Sequence, residues 1–349
     1  MKHIKKYIFG SLLLSGVLGL GACSSAENPS GINERRPVIQ NDLDGDIFKR
    51  EDTKGVLDTE TVTDLISDTG NTDTRFGPVS VDQRNPDFVA ANSSVINWVD
   101  FGVGPQVNTA IVGSEGVVRS IPLPAFPSAS TIDSERYYLT LPQTKQIVQV
   151  QNLDKHYSVI QNTGSAPMAL AVDGNALFWG EQNGCVFTST TAGLSTRTIA
   201  CDAGIPTAMA VANNEIFWAT TKGSVFRTNM DGDVKKLANA EHVGSDLLVS
   251  GNVLYWSDEF SGDFKALKIG ADSVLNLSSK LSSISGLTQD ANYIYGTSEL
   301  NGSVSRYDKN TGAVTPLVTR QSSPASIFGD KGHLYWANKN PGSIIKYSK

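Results

Sequence analysis

From about residue 76 onward, apolar residues come in short runs broken by Gly, Asn, Asp or Pro. No stretch keeps the spacing of an amphipathic helix. One phrase returns throughout: a hydrophobic run ending in an aromatic, a small polar turn, a Gly, and a second run. Its clearest copies are Leu177-Phe178-Trp179, Ile216-Phe217-Trp218, Leu254-Tyr255-Trp256 and Leu334-Tyr335-Trp336, followed by Gly184, Gly223, Gly262 and Gly342. With the Trp position as a marker, weaker copies fall at Trp98, Leu139 and Gly296, and the separations are 41, 40, 39, 38, 40 and 40 residues. Seven units at so narrow a period indicate a repeat architecture.

Each unit divides into four strand-length pieces rich in β-branched and aromatic residues. In the fourth unit these are Thr207 to Val211, Glu215 to Thr220, Ser224 to Asn229 and Val234 to Leu237. Four antiparallel strands per unit of this length make the blade of a β-propeller. The predicted fold is therefore all-β, with seven blades favoured and six plus a fragment as the alternative. The last unit ends one strand short at Lys349. The spare run Gly77 to Val81 is placed to supply its outer strand, closing the ring and covering an open edge. The aromatic rows read either as packing between blades or as a sugar-binding surface, and the continuous Leu-Phe-Trp runs favour packing.

The phrase Leu254-Tyr255-Trp256-Ser257-Asp258 followed by Gly262-Asp263-Phe264 resembles the YWTD blade of low-density lipoprotein receptor-type propellers. Ala169 to Asn175 and Arg227 to Gly232 fit the same pattern, which NHL-type and bacterial lipoprotein propellers share. The resemblance covers residues 76–349. It implies a propeller fold, and it implies little about activity, because the motif is structural in that family.

Ahead of the repeats lies a leader rather than a fold element. Lys2, Lys5 and Lys6 precede an apolar stretch from Ile8 to Leu20, and Leu20-Gly21-Ala22-Cys23 follows. This is similar to the bacterial lipobox and implies a signal peptide over 1–22, cleavage before Cys23, and acylation of its thiol (palmitate among the acyl chains). Several buried methylenes at roughly 0.8 kcal/mol each would anchor such a protein firmly. Ser24 implies the outer membrane where a cell has one. Residues 23–75 then read as a solvated acidic tether. Within it Asp42, Asp44, Asp46 and Glu51, with Gln40 at the first position, fall on the spacing of a Ca²⁺-binding loop, but Gln in place of Asp and the interrupting Pro37 favour a plain linker. No other cofactor is expected.

The remaining cysteines, Cys185 and Cys201, flank the hairpin of the third unit around Gly193. In an exported protein they are placed to form a disulfide. Loss of Lys2, Lys5 and Lys6 with the leader takes the formal charge from −6 to −9. With no basic patch, nucleic acid is not an expected partner. By analogy with other propellers, a site would sit at the channel mouth, on loops joining second and third strands. Those loops carry Asp100, Phe101, Glu181, Asp258, Glu259, Phe260, Glu299 and Asn338. Their acids would either attract a cation or basic peptide or cap their own turns. Of His156, His242 and His333, only His242 lies in a between-blade loop, as a lyase general base would. The expected function is a membrane-anchored binding module for a small ligand or envelope protein. The alternative is a propeller enzyme, a metal-dependent lactonase-type hydrolase or a His-dependent lyase.

Overall fold

The computed structural model describes residues 76–349, apart from 103, 115, 118, 152–153, 240–242, 245, 259–262, 272 and 278–283. The described residues form seven four-stranded antiparallel sheets and no helix. In chain order the blades span Pro86–Pro122, Ala129–Asn162, Pro167–Ala200, Pro206–Asn239, Leu247–Asn276, Ile284–Val318 and Pro324–Ser348. Blade 7 receives its fourth, outermost strand from Phe76–Gln83, which pairs antiparallel with Gly342–Ser348. The expected closure of the ring is thus present, and six blades is excluded. In blade 4 the first three strands match the sequence reading. The fourth lies at Lys235–Asn239, a little later than Val234 to Leu237, and carries Leu237 as an extra residue where its register shifts opposite Val225 and Phe226.

The repeated phrase works through the two-residue period of a strand. Successive side chains face opposite sides of a blade, and each side meets a neighbouring blade. Trp179 packs with Leu177 against Tyr138 and Ile147 of blade 2, while Phe178 packs against Ile216 and Trp218 of blade 4. The same alternation places Trp256 against Phe217, Trp336 against Tyr295, and Trp98 against Tyr335. All five tryptophans are at most 1% exposed. Burial of each such side chain contributes on the order of 2–3 kcal/mol. The rows are packing surfaces, as their apolar runs suggest. Blade 6 has Gly296 at the marker, and there Ile284 and Leu287 reach over it to fill the space. Ile284 stands where four other blades open on Pro.

Cys185 and Cys201 lie one residue beyond the paired ends of the third and fourth strands of blade 3, where Val186 opposes Ala200, and form a disulfide.

Candidate functional site

The end of the ring at which each inner strand begins is the end that carries the between-blade loops and the turns from second to third strands. Register fixes this in blade 7, where Pro324 opposes Asn338, Lys339 opposes Gly342, and Gly342 opposes Gln83. Most sequence-selected residues lie here, but inside the blades. Asp100, 7% exposed, accepts from the amides of Arg84 and Gly102 at 3.0 and 2.9 Å. Glu181, 2% exposed, accepts from the Ser165 amide, the Trp179 indole and the Asn183 amide group at 2.8, 3.1 and 3.2 Å. Asp258 is buried against the Lys265 ammonium at 2.6 Å. Asn338 donates to Gln321 and Ser343. These groups fasten turns and marker tryptophans. Gln83 and Gln321 do the same for Trp98 and Trp336, at 2.9 and 3.1 Å. None of Asp100, Glu181, Asp258 or Asn338 lines the central channel. Cys23, Asp42, Asp44, Asp46, Glu51, His242 and Glu259 lie outside the described residues. Among the described residues, no group of three or more His, Cys, Asp or Glu is arranged to hold a metal.

The channel itself is a cavity of about 380 Å³ bounded by the inner strands. Its chemistry is set by a repeat position that the marker locates. Ten residues before each marker stand Phe88, Ala129, Ala169, Ala208, Asp246, Gly286 and Ser326. Small residues predominate because the inner strands converge there. A methyl group built on Gly286 would lie 2.7 Å from the Ala325 carbonyl oxygen. Two units depart from the rule. Asp246 reaches across to blade 6, and its Oδ2 accepts from the Leu287 amide at 2.9 Å. Ser326 makes the equivalent link from blade 7, accepting from the Val89 amide at 3.0 Å. Phe88 instead takes φ +52°, a left-handed conformation costly for a bulky residue, at a bulge between Asp87 and Ala90. Its carbonyl accepts from the Tyr137 hydroxyl.

Asp87 lies beside Phe88 at the mouth. Lys339 bridges it to Glu299, at 3.3 and 3.7 Å, so that blades 6, 7 and 1 are joined. Burial pushes the Asp246 carboxyl up to about 6. The Leu287 amide opposes that shift and the charge of Asp87 adds to it. Asp246 can therefore hold or release a proton near neutrality. Thr207 adds a hydroxyl whose oxygen is sealed from solvent and has no hydrogen-bond partner among the described residues. The sequence reading looked for acids after the marker. The acids lining the cavity precede it instead, Asp246 by ten residues and Asp87 by eleven, and are visible only when the units are aligned on the marker.

No protein-family model matches the chain, and no curated protein matches it either. Several solved structures share its fold. One is virginiamycin B lyase from Staphylococcus aureus, 13% identical, with a TM-score of 0.66 over 78% of this chain and 99% of that one. Another is the WD40 β-propeller domain of Doa1, 14% identical, with a TM-score of 0.62 over 77% and 94%. A third is the computationally designed Ika8 protein, 14% identical, with a TM-score of 0.57 over 78% and 99%. At these identities the likeness is one of fold.

Proposed function

We propose that the protein is an exported lipoprotein, held at a membrane of the cell envelope through an acylated Cys23, whose YWTD-like propeller binds a small ligand or a partner's protruding group in its central channel. The leader and its closing Leu-Gly-Ala-Cys support the anchor, and Ser24 supports the outer membrane in a cell that has one. One observation carries the binding reading. The ring encloses a cavity of about 380 Å³, within the size range of small-molecule sites, and its wall carries two carboxyl groups, Asp87 and Asp246.

The anchor is tested by metabolic labelling with palmitate and by fractionation. Label on the membrane-bound protein, lost together with membrane association in Cys23→Ala, is the expected result. An unlabelled or soluble wild type would refute it. Binding is tested by screening small metabolites against the mature protein by ligand-observed NMR. A hit weakened by Asp246→Asn is expected, and a screen whose hits all ignore that substitution would sink the channel reading.

A second reading has the same cavity performing catalysis. A carboxyl poised near neutrality is suited to general acid–base work. The hydrolase and lyase alternatives belong here, and turnover lost in Asp246→Asn with binding retained would select them.

A further inference from the structure

The large apolar side chains left exposed are not scattered over the ring. Among the described residues there are eight, and six lie at the end away from the channel mouth: Ile111, Val117, Val159, Leu194, Val234 and Leu275. Register fixes their place. Each third strand runs away from the mouth and turns there into the fourth. Ile111 ends the third strand of blade 1 opposite Val95, where the second begins. Val159 and Leu275 stand at the start of the fourth strands of blades 2 and 5. Val117, Leu194 and Val234 lie in the connections from third to fourth strand in blades 1, 3 and 4. Five successive blades thus present aliphatic side chains on one outer rim. Blade 6 has a polar turn there, in which Asp308 accepts from the amides of Asn310 and Thr311. In blade 7 the chain itself enters the ring at Phe76.

Neighbouring blades touch along this rim. Gly193 of blade 3 lies too close to the Ile160 carbonyl of blade 2 for a Cβ to fit, and Gly232 of blade 4 stands likewise against Ile199 of blade 3. Arg197 of blade 3 donates to the Met230 carbonyl of blade 4 at 2.8 Å. At blade 1 the arc reaches the strand Phe76–Gln83, where the Gly116 amide donates to the Val79 carbonyl at 2.7 Å. The apolar rim therefore begins beside the strand that leads back to Cys23. Exposed Lys155, Arg197, Lys235, Lys236 and Lys268 flank it, against Asp154, Asp231 and Asp233 on the same turns. Such long basic side chains lay their stems on apolar surface and carry their charge to a phosphate. A row of aliphatic tips among bases, without exposed aromatics, lacks the aromatic anchors of a protein interface and suits a lipid headgroup layer.

We propose that this rim is seated on the phospholipid surface that holds the anchor, with the aliphatic tips among the headgroups and the flanking bases at lipid phosphates, so that the channel mouth faces away from the membrane. The proposal rests on the reading of Cys23 as lipid-anchored and adds a second contact and an orientation. The anchor imposes neither, since residues 23–75 could span up to about 180 Å if extended.

The test uses the mature full chain with Leu194→Cys on the rim or Leu300→Cys at the mouth, where the native residues are 65% and 77% exposed. Cys185 and Cys201 are tied up in their disulfide. Each variant is labelled with a polarity-sensitive dye and reconstituted in vesicles of phosphatidylethanolamine and phosphatidylglycerol. The dye on the rim should shift to shorter wavelength and lose at least half its emission to a nitroxide-bearing phospholipid. The dye at the mouth should do neither. A rim dye that behaves as in water, or that responds no more than the mouth dye, overturns the proposal. A rim shift that grows with protein concentration and ignores the lipid nitroxide would show a second copy covering the rim, and overturns it too. The Cys23→Ala chain separates rim from anchor. It should bind added vesicles at least fivefold better than the same chain with Leu194→Asp and Val234→Asp, at unchanged circular dichroism, and absence of that difference overturns the proposal. If palmitate labelling fails while that difference is seen, the anchor reading falls and the rim stands. If the protein is acylated and vesicle-bound but its rim dye is not quenched, the anchor stands and the rim falls.

Discussion

Tyr295 donates its hydroxyl to Asp290 at 2.7 Å across the turn that joins the first two strands of blade 6. The same carboxylate accepts from the amides of Asn292 and Tyr293 and from the Lys349 ammonium. Asp133 with Tyr138 and Asp330 with Tyr335 repeat the arrangement, at 2.7 and 3.5 Å. Burial alone would raise the Asp290 carboxyl, but these donors outweigh it and hold it down to about 2. Because the folded value lies below the unfolded one, this contribution is full above about pH 4 and is lost as pH falls towards 2. Tyr295→Phe should cost about 1 kcal/mol at pH 7, and Asp290→Asn should flatten the acid limb of a urea-denaturation series. An unchanged acid limb would show that the turn is not what titrates.

Closure of the ring depends on a near contact. A methyl group built on Gly342 would lie 1.8 Å from the carbonyl oxygen of Gln83. The strand Gly342–Ser348 is paired on both its sides, with Phe76–Gln83 and with His333–Lys339, so it cannot shift away without losing pairs. Gly342→Ala should therefore destabilise the protein by about 1–3 kcal/mol or more and expose the edge of the last strand. Thermal unfolding with light scattering checks both effects.

The Cys185–Cys201 bridge closes a loop of 16 residues' separation. In the chain-entropy model such a loop contributes about 3 kcal/mol. Reduction, or replacement of both cysteines by Ser, should lower the denaturation midpoint accordingly. A difference of a few tenths of a kcal/mol would place the stability of blade 3 in its packing.

Asp246 makes a prediction of opposite sign to Asp290. Its folded value, about 6, lies above the unfolded value of 3.8. Between those values the folded protein keeps a proton that the unfolded chain has released, so stability falls as pH rises from about 4 to about 6 and stays lower above that. Asp87, which lines the same cavity, adds to the shift with its charge, and Lys339 pairs with Asp87 and with Glu299. Asp246→Asn should be more stable than wild type at pH 7.5 by about 1–3 kcal/mol and equal to it at pH 4. A uniform loss at both values would make Asp246 a plain structural link.

The difference in legibility between fold and site has a physical origin. Strand alternation and turn residues act over a few positions, so Leu254-Tyr255-Trp256 announces its strand without reference to the rest of the chain. The spare run at Gly77 could be placed because a ring has to balance its strands. Asp100 and Glu181 could be read either as a site for a cation or as caps of their own turns, because an acid after a strand reads the same whether it faces solvent or caps its own turn. Two or three short hydrogen bonds decide between those, and their geometry depends on neighbouring loops. Asp246 and Phe88 were hidden inside runs that read as ordinary strands. Their position matters only because the blades stack and bring the inner strands together.

The strand Phe76–Gln83 gives the molecule a mechanical axis. It enters the ring with Phe76 opposite Tyr347 and leaves with Gln83 opposite Gly342, so its first residue lies at the end of the ring away from Asp87 and the channel mouth. A pull on the chain ahead of Phe76, resisted by something held at the mouth, runs along this strand rather than across it. Its hydrogen bonds to the last strand are then loaded together in shear instead of being opened one after another. The strand that completes the ring is also the one that would carry such a load.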